Sequence, residues 1–302
     1  MKKLIVIIPA FCEEQTIFKT IESIQDQREV LKAVGLETLI YVVNDGSTDQ
    51  TVAEAQRAGA DRVLNHRINQ GLGSAVRTGL KAARKDGADL AVKFDADLQH
   101  DPADIVKLVG PILADEAELV YGNRFKGMKY KMPFVRRMGN LAFTRLMRWM
   151  TGWPVTDSQP GVFAVAGSYL DVCYIPGDYN YTQQILLDAY HKGMRFCQVP
   201  VSFARRDSGT SFVSMKYPLK VFPQIMQVLI GVKPLKVFGP IGFFFIGICI
   251  LVSANNLINW MGGSAAKPIQ NVNLVLGAGM FGLQTLFFGL LADLIVKQNS
   301  SR

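Results

Sequence analysis

Short apolar runs alternate with amphipathic segments along the first part of the chain. Runs rich in valine, isoleucine and leucine that end at turn residues are typical of strands buried on both faces of a parallel sheet. Four such runs predict strands over Leu4–Pro9, Thr38–Asn44, Arg62–Asn65 and Leu90–Asp95. Hydrophobic positions at helical spacing predict helices between them, over Gln15–Val34, Thr51–Ala58 and Leu72–Lys85. This alternation indicates an α/β sandwich over residues 1 to about 212.

The hydrophobic pattern changes towards the C-terminus. Residues 237–266 and 268–292 contain no charged side chain, and a helix that spans a bilayer needs ~20 mostly apolar residues. Neither run has the polar face of a helix on a soluble surface, although two buried core helices are the alternative. Glycine and proline in the short connection, such as Gly263 and Pro268, favour a turn. We therefore predict an antiparallel transmembrane hairpin, with helices at about 237–260 and 272–296.

A third kind of pattern precedes the predicted hairpin. Between residues 213 and 236, apolar side chains such as Met215, Leu219 and Phe222 recur every three or four positions, with Lys216 and Lys220 on another face. Such a basic amphipathic stretch favours the membrane interface, with packing against the globular domain as the alternative. The expected organisation is a globular domain over 1–212, an amphipathic segment over 213–236 and two transmembrane helices within 237–297.

Charge adds an orientation to this picture. Beyond residue 207 there are seven lysines and arginines but one acid, Asp293, so most of the net charge of +8 lies beside the predicted hairpin. Its loop has the single lysine Lys267, so the positive-inside rule places residues 1–236 and the C-terminus in the cytoplasm. The basic excess suggests anionic lipid as partner rather than nucleic acid, because the globular part has no basic run with interleaved aromatics. Four cysteines without paired spacing indicate a reduced compartment and no structural zinc.

The clearest candidate chemistry follows the fourth predicted strand, in Asp95-Ala-Asp97-Leu-Gln99. Two carboxylates beyond a buried strand can share a hard divalent ion and hold it against a phosphate. Mg²⁺ takes only one or two carboxylates from a protein and keeps waters and phosphate oxygens as its other ligands. A nucleotide diphosphate is therefore the expected partner of this segment.

Polar residues also follow the first two predicted strands, at Glu13 and in Asn44-Asp-Gly-Ser47. Ligands of α/β sheets gather at the carboxyl ends of the strands, but an ordinary turn before a helix is the alternative. The segment Asn69–Gly79 has the glycines of a loop that opens a helix. It does not fit a dinucleotide-binding fold, because no Gly-x-Gly-x-x-Gly follows the first strand.

Taken together and in order, these motifs resemble the family-2 glycosyltransferases of GT-A fold. The motifs are Val6-Ile-Ile-Pro9 with Glu13, Asn44-Asp-Gly-Ser47, Asn69-x-Gly-x-Gly-x-Ala75, Asp95-Ala-Asp97, Gly122-Asn-Arg124 and Arg206-x-x-Gly209-x-Ser211. More closely, the chain is similar to the polyprenyl-phosphate (dolichol-phosphate mannose synthase-like) glycosyltransferases. That likeness rests on the hexapeptide from Asp95 to His100, Asp157 before Pro160-Gly161, Val199-Pro200 and the C-terminal hairpin.

The resemblance implies roles for individual residues. The nucleotide-sugar would be bound by Pro9, Glu13, Asp45, Asp95 and Arg206. Mg²⁺ or Mn²⁺ would be held by Asp95, Asp97 and Gln99. The acceptor phosphate would be bound by guanidinium groups, whose planar forks match phosphate oxygens, namely Arg124, Arg136 and Arg137. The catalytic residues would be Asp97, Asp157 and Arg206, with Asp157 as an orienting group, because an ionised phosphomonoester needs no strong base.

The sequence departs from the family pattern at three positions. Cys12 stands where the family usually has asparagine, Gln198 replaces a glutamate, and Phe212 replaces a lysine after Ser211. The last change removes a positive charge that the family pattern places beside the donor phosphates. Arg206 or its neighbour Arg205 would have to supply the missing charge.

The implied activity is an inverting transfer of one sugar from a UDP- or GDP-sugar to a membrane polyprenyl or dolichyl phosphate. A processive polysaccharide synthase is the alternative enzyme, but the Gln-x-x-Arg-Trp motif of those enzymes has its nearest counterpart in Arg145-Leu-Met-Arg-Trp149, which precedes Asp157. A non-catalytic membrane scaffold is a second alternative. The small residues Gly277-Ala-Gly279 make a homo-oligomer plausible.

Overall fold

A computed structural model describes residues 1–126, 134–175, 180–204, 226, 230–231 and 233–300. The chain divides into two compact units, Met1–Val221 and Phe222–Arg302. The first unit holds a layered α/β fold, and the second holds two long helices. The amphipathic segment predicted for residues 213–236 lies mostly outside the described residues.

Seven strands of the described residues form one mixed sheet in the order β3-β2-β1-β4-β6-β5-β7. In chain order, β1 to β7 are Lys2–Ala10, Leu36–Asn44, Arg62–Asn65, Leu90–Lys93, Leu119–Asn123, Phe163–Ala166 and Phe196–Pro200. The first four strands pair in parallel, as their continuous apolar runs predict. β6 runs antiparallel to both β4 and β5, whereas β7 is parallel to β5.

The helices of the first unit are α1 to α8, which span Ile17–Gln25, Arg28–Ala33, Thr51–Arg57, Leu72–Lys85, Asp104–Leu113, Phe134–Thr151, Gly167–Leu170 and Tyr181–His191. The prediction of one helix over Gln15–Val34 is wrong. The chain breaks into α1 and α2 at Asp26 and Gln27, where the Gln27 amide donates to the Ile24 carbonyl at 3.1 Å. Ile24 in α1 and Leu31 in α2 are both fully buried. The break therefore keeps both helices on the core.

The core lies between the sheet and the helices. Side chains of β1, β2 and β4 join those of α1 and α5 in a buried apolar cluster that includes Val6, Ile40, Val92 and Ile105. On another part of the sheet, α4 packs closely, because a Cβ atom on Gly79 would lie 2.2 Å from Cγ2 of Ile7. Only glycine allows this approach of helix to strand.

The second unit contains the helices α9, Pro234–Met261, and α10, Val272–Ser300. Both are long and apolar enough to cross a membrane, and most of their large apolar side chains are exposed. They pack against each other as an antiparallel pair: a Cβ on Gly242 would lie 2.6 Å from Cγ of Leu286, and Cys249 faces Gly279. The two helices are therefore candidate membrane spans, and they overlap the predicted spans.

Candidate active site

The antiparallel strand β6 determines which loops meet at the candidate site. Phe163, the first residue of β6, pairs with Lys93 at the end of β4 and with Tyr121 of β5. The segment that precedes β6 therefore lies beside the loop that follows β4. Since β7 is parallel to β5, the residues after Pro200 reach the same edge of the sheet. One edge thus collects the candidate residues of four strands.

Asp95 lies at this edge in contact with a buried cation. Nζ of Lys93, whose side chain is 1% exposed, forms an ion pair with Oδ1 of Asp95 and donates to the Gly161 carbonyl at 2.6 Å. Burial alone would lower the pKa of Lys93, but the Asp95 carboxylate outweighs it, and the pKa is raised. Lys93 therefore stays charged beneath the first aspartate of the motif. From the sequence alone, the only sign of this ion pair is a lysine inside an apolar strand.

The chain turns sharply between Asp97 and Gln99. Leu98 has a φ angle of +58°, which is uncommon for a bulky side chain, and it is 41% exposed. Oδ1 of Asp97 accepts a hydrogen bond from the Gln99 amide at 3.2 Å. The Gln99 side chain donates through Nε2 to the Ala204 carbonyl at 3.0 Å, and the Ala204 amide donates to the Gln99 carbonyl at 2.8 Å. The turn is thereby fixed to the segment that follows β7.

His100 is buried directly behind the two aspartates. It is 5% exposed, and neither ring nitrogen has a hydrogen-bond partner among the described residues. A Cβ atom on Gly161 would lie 2.2 Å from Nε2 of His100 and 2.8 Å from Oδ2 of Asp95. Burial lowers the pKa of His100 to about 4, and the positive charges of Lys93 and Arg124 act in the same direction, against the Asp95 carboxylate. His100 is therefore neutral at physiological pH.

The residues after β1 are held by the loop after β2. The Cys12 amide donates to Oγ of Ser47, and the Glu13 amide donates to Oγ1 of Thr51, each at 2.9 Å. Oε2 of Glu13 accepts a hydrogen bond from Oγ1 of Thr16 at 2.9 Å. Cys12 has a φ angle of +54°. Asparagine tolerates this left-handed conformation far better than most residues, which explains why asparagine suits the position in the family pattern.

Asp45 does not stand open at the surface. It is 3% exposed, and its Oδ1 atom contacts Nδ1 of His66 at 2.7 Å. The Gln70 amide donates to Oδ1 at 2.9 Å, and the Gly71 amide donates to Oδ2 at 2.8 Å. The loop that opens α4 therefore directs these two amides at a carboxylate of the protein itself. The partnership with His66 could not be read from the sequence.

Arg124 and Asp157 form a buried ion pair. Arg124 is 5% exposed and Asp157 is fully buried; Nε of Arg124 lies 2.8 Å from Oδ2 and Nη2 lies 3.1 Å from Oδ1. Oδ1 also accepts hydrogen bonds from Asn140 of α6 and from the Gln159 amide. Burial opposes the charge of Asp157, but the Arg124 guanidinium outweighs it and lowers the pKa. Two residues expected to face the acceptor are thus bound to each other.

Gln198, the departure from glutamate, also serves this cluster. Its Nε2 donates to the Asp157 carbonyl at 2.7 Å, and its Oε1 accepts from the amide and the hydroxyl of Thr156 at 2.6 and 2.7 Å. A glutamate could accept both bonds from Thr156 but could not donate to the carbonyl. Gln198 therefore fixes the segment that carries Asp157.

The other expected residues fall in different places. Pro9 is buried in β1 opposite Val43. Arg136 and Arg137 belong to the first turn of α6, while Arg206 and Phe212 lie outside the described residues. The structure thus brings Asp95, Asp97 and Gln99 together in one turn, and it puts Glu13 and Asp45 on the cross-linked loops after β1 and β2.

The donor set of the turn after β4 fits a hard divalent ion in kind. Asp95, Asp97 and Gln99 offer carboxylate and amide oxygens, which Mg²⁺ and Mn²⁺ prefer. Within the described part of the chain, no cluster of three or more His, Cys, Asp or Glu side chains could hold a metal.

Comparison with known proteins places this geometry in a family. Residues 5–166, more than half of the chain, match the model described as Glycosyl transferase family 2. A UDP-N-acetylglucosamine--dolichyl-phosphate N-acetylglucosaminyltransferase of Methanococcus voltae is 35% identical over 189 residues, 57% of this chain and 72% of that protein. An undecaprenyl-phosphate mannosyltransferase of Micrococcus luteus is 28% identical over 222 residues, 70% of this chain and 88% of that protein.

A solved structure agrees with the fold. The glucosyl-3-phosphoglycerate synthase of Mycobacterium tuberculosis has a TM-score of 0.55 and 25% identity, over 76% of this chain and 80% of that chain. Another crystal structure of that enzyme contains Mg²⁺ and uridine diphosphate. The first unit therefore has the GT-A type of α/β fold, as expected from the motifs.

Proposed function

We propose that this chain, which belongs to glycosyl transferase family 2, moves one sugar from a UDP- or GDP-sugar to a membrane polyprenyl or dolichyl phosphate with inversion. The product would be a lipid-phosphate-sugar that serves as a donor for glycan or glycoprotein assembly. The observation that carries the proposal is the turn with Asp95, Asp97 and Gln99 at the edge of the GT-A sheet, in a chain that also has two candidate membrane spans. Relatives named for polyprenyl-phosphate acceptors support the acceptor class.

The donor side of the proposed site would consist of Pro9, Glu13, Asp45, Asp95 and Arg206. Asp95, Asp97 and Gln99 would hold Mg²⁺ or Mn²⁺, which when bound would stabilise the charge that develops on the leaving nucleotide diphosphate. The buried ammonium of Lys93 would hold Asp95 in place through their ion pair. Arg206 is proposed to contact the diphosphate and to supply the charge that Phe212 does not.

The acceptor side would be formed by Arg124, Arg136 and Arg137. Arg124 uses Nε and Nη2 on Asp157 and the Gln159 carbonyl. We propose that the two arginines in the first turn of α6 make the main phosphate contacts, since guanidinium pairs with phosphate bidentately.

Asp157 is proposed to position these groups rather than to accept a proton. A phosphomonoester has a second pKa near 6 and is mostly dianionic at neutral pH, so the attacking oxygen needs no strong base. Full burial and the ion pair with Arg124 support this role, because a carboxylate with a lowered pKa is a weak base. Asp157 would act through Arg124 and through Asn140 of α6.

The proposed setting is a multi-pass membrane protein with its catalytic domain and C-terminus in the cytoplasm. Both candidate spans and the lysine asymmetry around them support this orientation. Impermeant thiol labelling tests it: a cysteine at Ser264 should react from outside intact cells, and one at Ser300 should not. If only the cysteine at the Ser300 position reacts, the orientation is the opposite of the one proposed. Assembly into a homo-oligomer through the second span stays a proposal.

A donor and acceptor screen tests the activity directly. The full chain, purified in detergent or nanodiscs, is incubated with UDP- and GDP-sugars and with undecaprenyl or dolichyl phosphate, and products are identified by mass spectrometry. One sugar on the lipid phosphate is expected, with loss of turnover in Asp97→Ala and reversible loss in EDTA. A polymer as product would favour the processive synthase. No transfer to any acceptor would favour the scaffold.

A further inference from the structure

His66 connects two parts of the proposed donor side and has no role so far. It follows β3, and its side chain is 9% exposed. Nδ1 lies 2.7 Å from Oδ1 of Asp45, and Nε2 lies 2.8 Å from Oγ1 of Thr78 in α4. The ring therefore links the loop after β2 to α4.

The carboxylate of Asp45 in turn holds residues 68–71, which are called the glycine segment below. It accepts from the amides of Gln70 and Gly71, just before α4 begins. Gly46 packs on the same segment: it has a φ angle of +75°, and a Cβ there would lie 2.6 Å from the carbonyl carbon of Ile68. Asp45 and its neighbour thus fix the path of residues 68–71.

The contacts assign a tautomer to the ring. An ionised carboxylate can only accept hydrogen bonds, so the hydrogen must be on Nδ1 of His66. In the neutral ring, Nε2 then accepts from the Thr78 hydroxyl, which can rotate to donate. A side chain that donates at the Nδ1 position alone would keep the bond to Asp45 and lose the bond to Thr78.

We infer that His66 is a positioning residue that sets nucleotide affinity by holding Asp45 and the Gln70–Gly71 amides in place. The inference rests on the proposed function, in which Asp45 lines the nucleoside pocket. Without the ring, Asp45 loses one of its three hydrogen bonds and its orientation is no longer fixed from the side of β3. The glycine segment, whose amides bind that carboxylate, would shift with it.

Three variants of the full chain test the role. His66→Leu removes both hydrogen bonds, His66→Asn can keep a donor near the Nδ1 position, and Thr78→Val removes only the second bond. Because hydrogen bonds to charged groups are the stronger kind, we expect His66→Leu to weaken UDP or GDP binding about tenfold to a hundredfold. His66→Asn and Thr78→Val should each stay within about fivefold of the native chain. The KM for the lipid acceptor should not change.

Calorimetric titration with UDP and GDP, together with donor and acceptor KM values and the melting temperature, separates the outcomes. Native affinity in His66→Leu would overturn the inference. So would an equal loss in His66→Asn, because the effect would then come from the shape of the ring and not from its donor. An equal rise of both KM values would indicate general disruption and would also overturn it. If the native chain binds neither nucleotide, the proposed function itself fails.

Discussion

Replacing Asp157 by asparagine tests whether this carboxylate positions the site or performs the chemistry. The substitution keeps the shape and an acceptor for Asn140 and Gln159, but it removes the charge that Arg124 faces at 2.8 and 3.1 Å. Arg124 is 5% exposed, so water cannot readily solvate its guanidinium once the opposite charge is removed. Breaking a buried pair in this way costs about 3–5 kcal/mol of the free energy of unfolding.

Thermal unfolding of the purified full chain measures this cost. At about 2–4 °C per kcal/mol for a unit of this size, Asp157→Asn should lower the melting temperature by roughly 6–20 °C. The double variant Arg124→Met/Asp157→Leu removes both charges, so it should be less destabilised than Asp157→Asn. A double variant that is worse than the sum of both single changes would contradict the ion-pair reasoning.

The pH dependence gives an independent check. The pKa of Asp157 is lower in the folded than in the unfolded state, so its stabilising effect is present above the unfolded value of about 3.9 and is lost as pH falls through the folded value. The gap in melting temperature between the native chain and Asp157→Asn should therefore be constant from about pH 5 to 8 and should narrow as the pH falls below about 3.9. A different result would show that Asp157 acts as a base. In that case Asp157→Asn would keep the native melting temperature but lose turnover, and raising the pH would restore the turnover.

Three further substitutions probe the same edge of the sheet. Lys93→Met should weaken Mn²⁺ binding about tenfold to a hundredfold in an electron paramagnetic resonance titration, because the buried ammonium that orients Asp95 is gone; tighter binding would contradict this. Gly161→Ala forces a Cβ to within 2.2 Å of Nε2 of His100 and should lower the free energy of unfolding by about 1–3 kcal/mol, which chemical denaturation would measure against the native chain. Cys12→Asn relieves a left-handed residue and should raise that free energy by up to about 1 kcal/mol; a decrease would indicate that the thiol has a packing role.

Local patterns predicted those features of the fold that depend on neighbours in sequence. The predicted bounds of β3 and α4 agree with the structure, because each is bounded by its own turn residues. The two candidate spans were also recognisable, because a long run without charged residues is a property of the local sequence and does not depend on distant contacts. The helix before β2 was not, because the break at Asp26 follows from packing Ile24 and Leu31 on one core.

The candidate site was predictable only in part, for a related reason. The motif indicated Asp95. The role of Lys93 depends on the fold, because the antiparallel strand β6 places the Gly161 carbonyl, which Lys93 contacts, at the end of β4. Likewise, Asp45 was indicated by its position after a strand, whereas His66 joins it through the fold. Residue type is enough to identify a candidate acid. The partner that determines its charge and orientation can be identified only from the fold.

Two ion pairs with buried cations therefore lie at the candidate site: Lys93–Asp95, whose carboxylate is partly exposed, and Arg124–Asp157, which is buried on both sides. Buried ion pairs are poor sources of stability, because apolar residues of similar volume often stabilise as well or better. The apolar core between the sheet and helices supplies the stability of this unit. The charges of Lys93, Asp95 and Arg124 all affect the pKa of the buried His100 ring. Such a cluster at the edge of the sheet is better explained by the fixed orientation it gives to Asp95 and to the start of the acceptor side than by any gain in folding free energy.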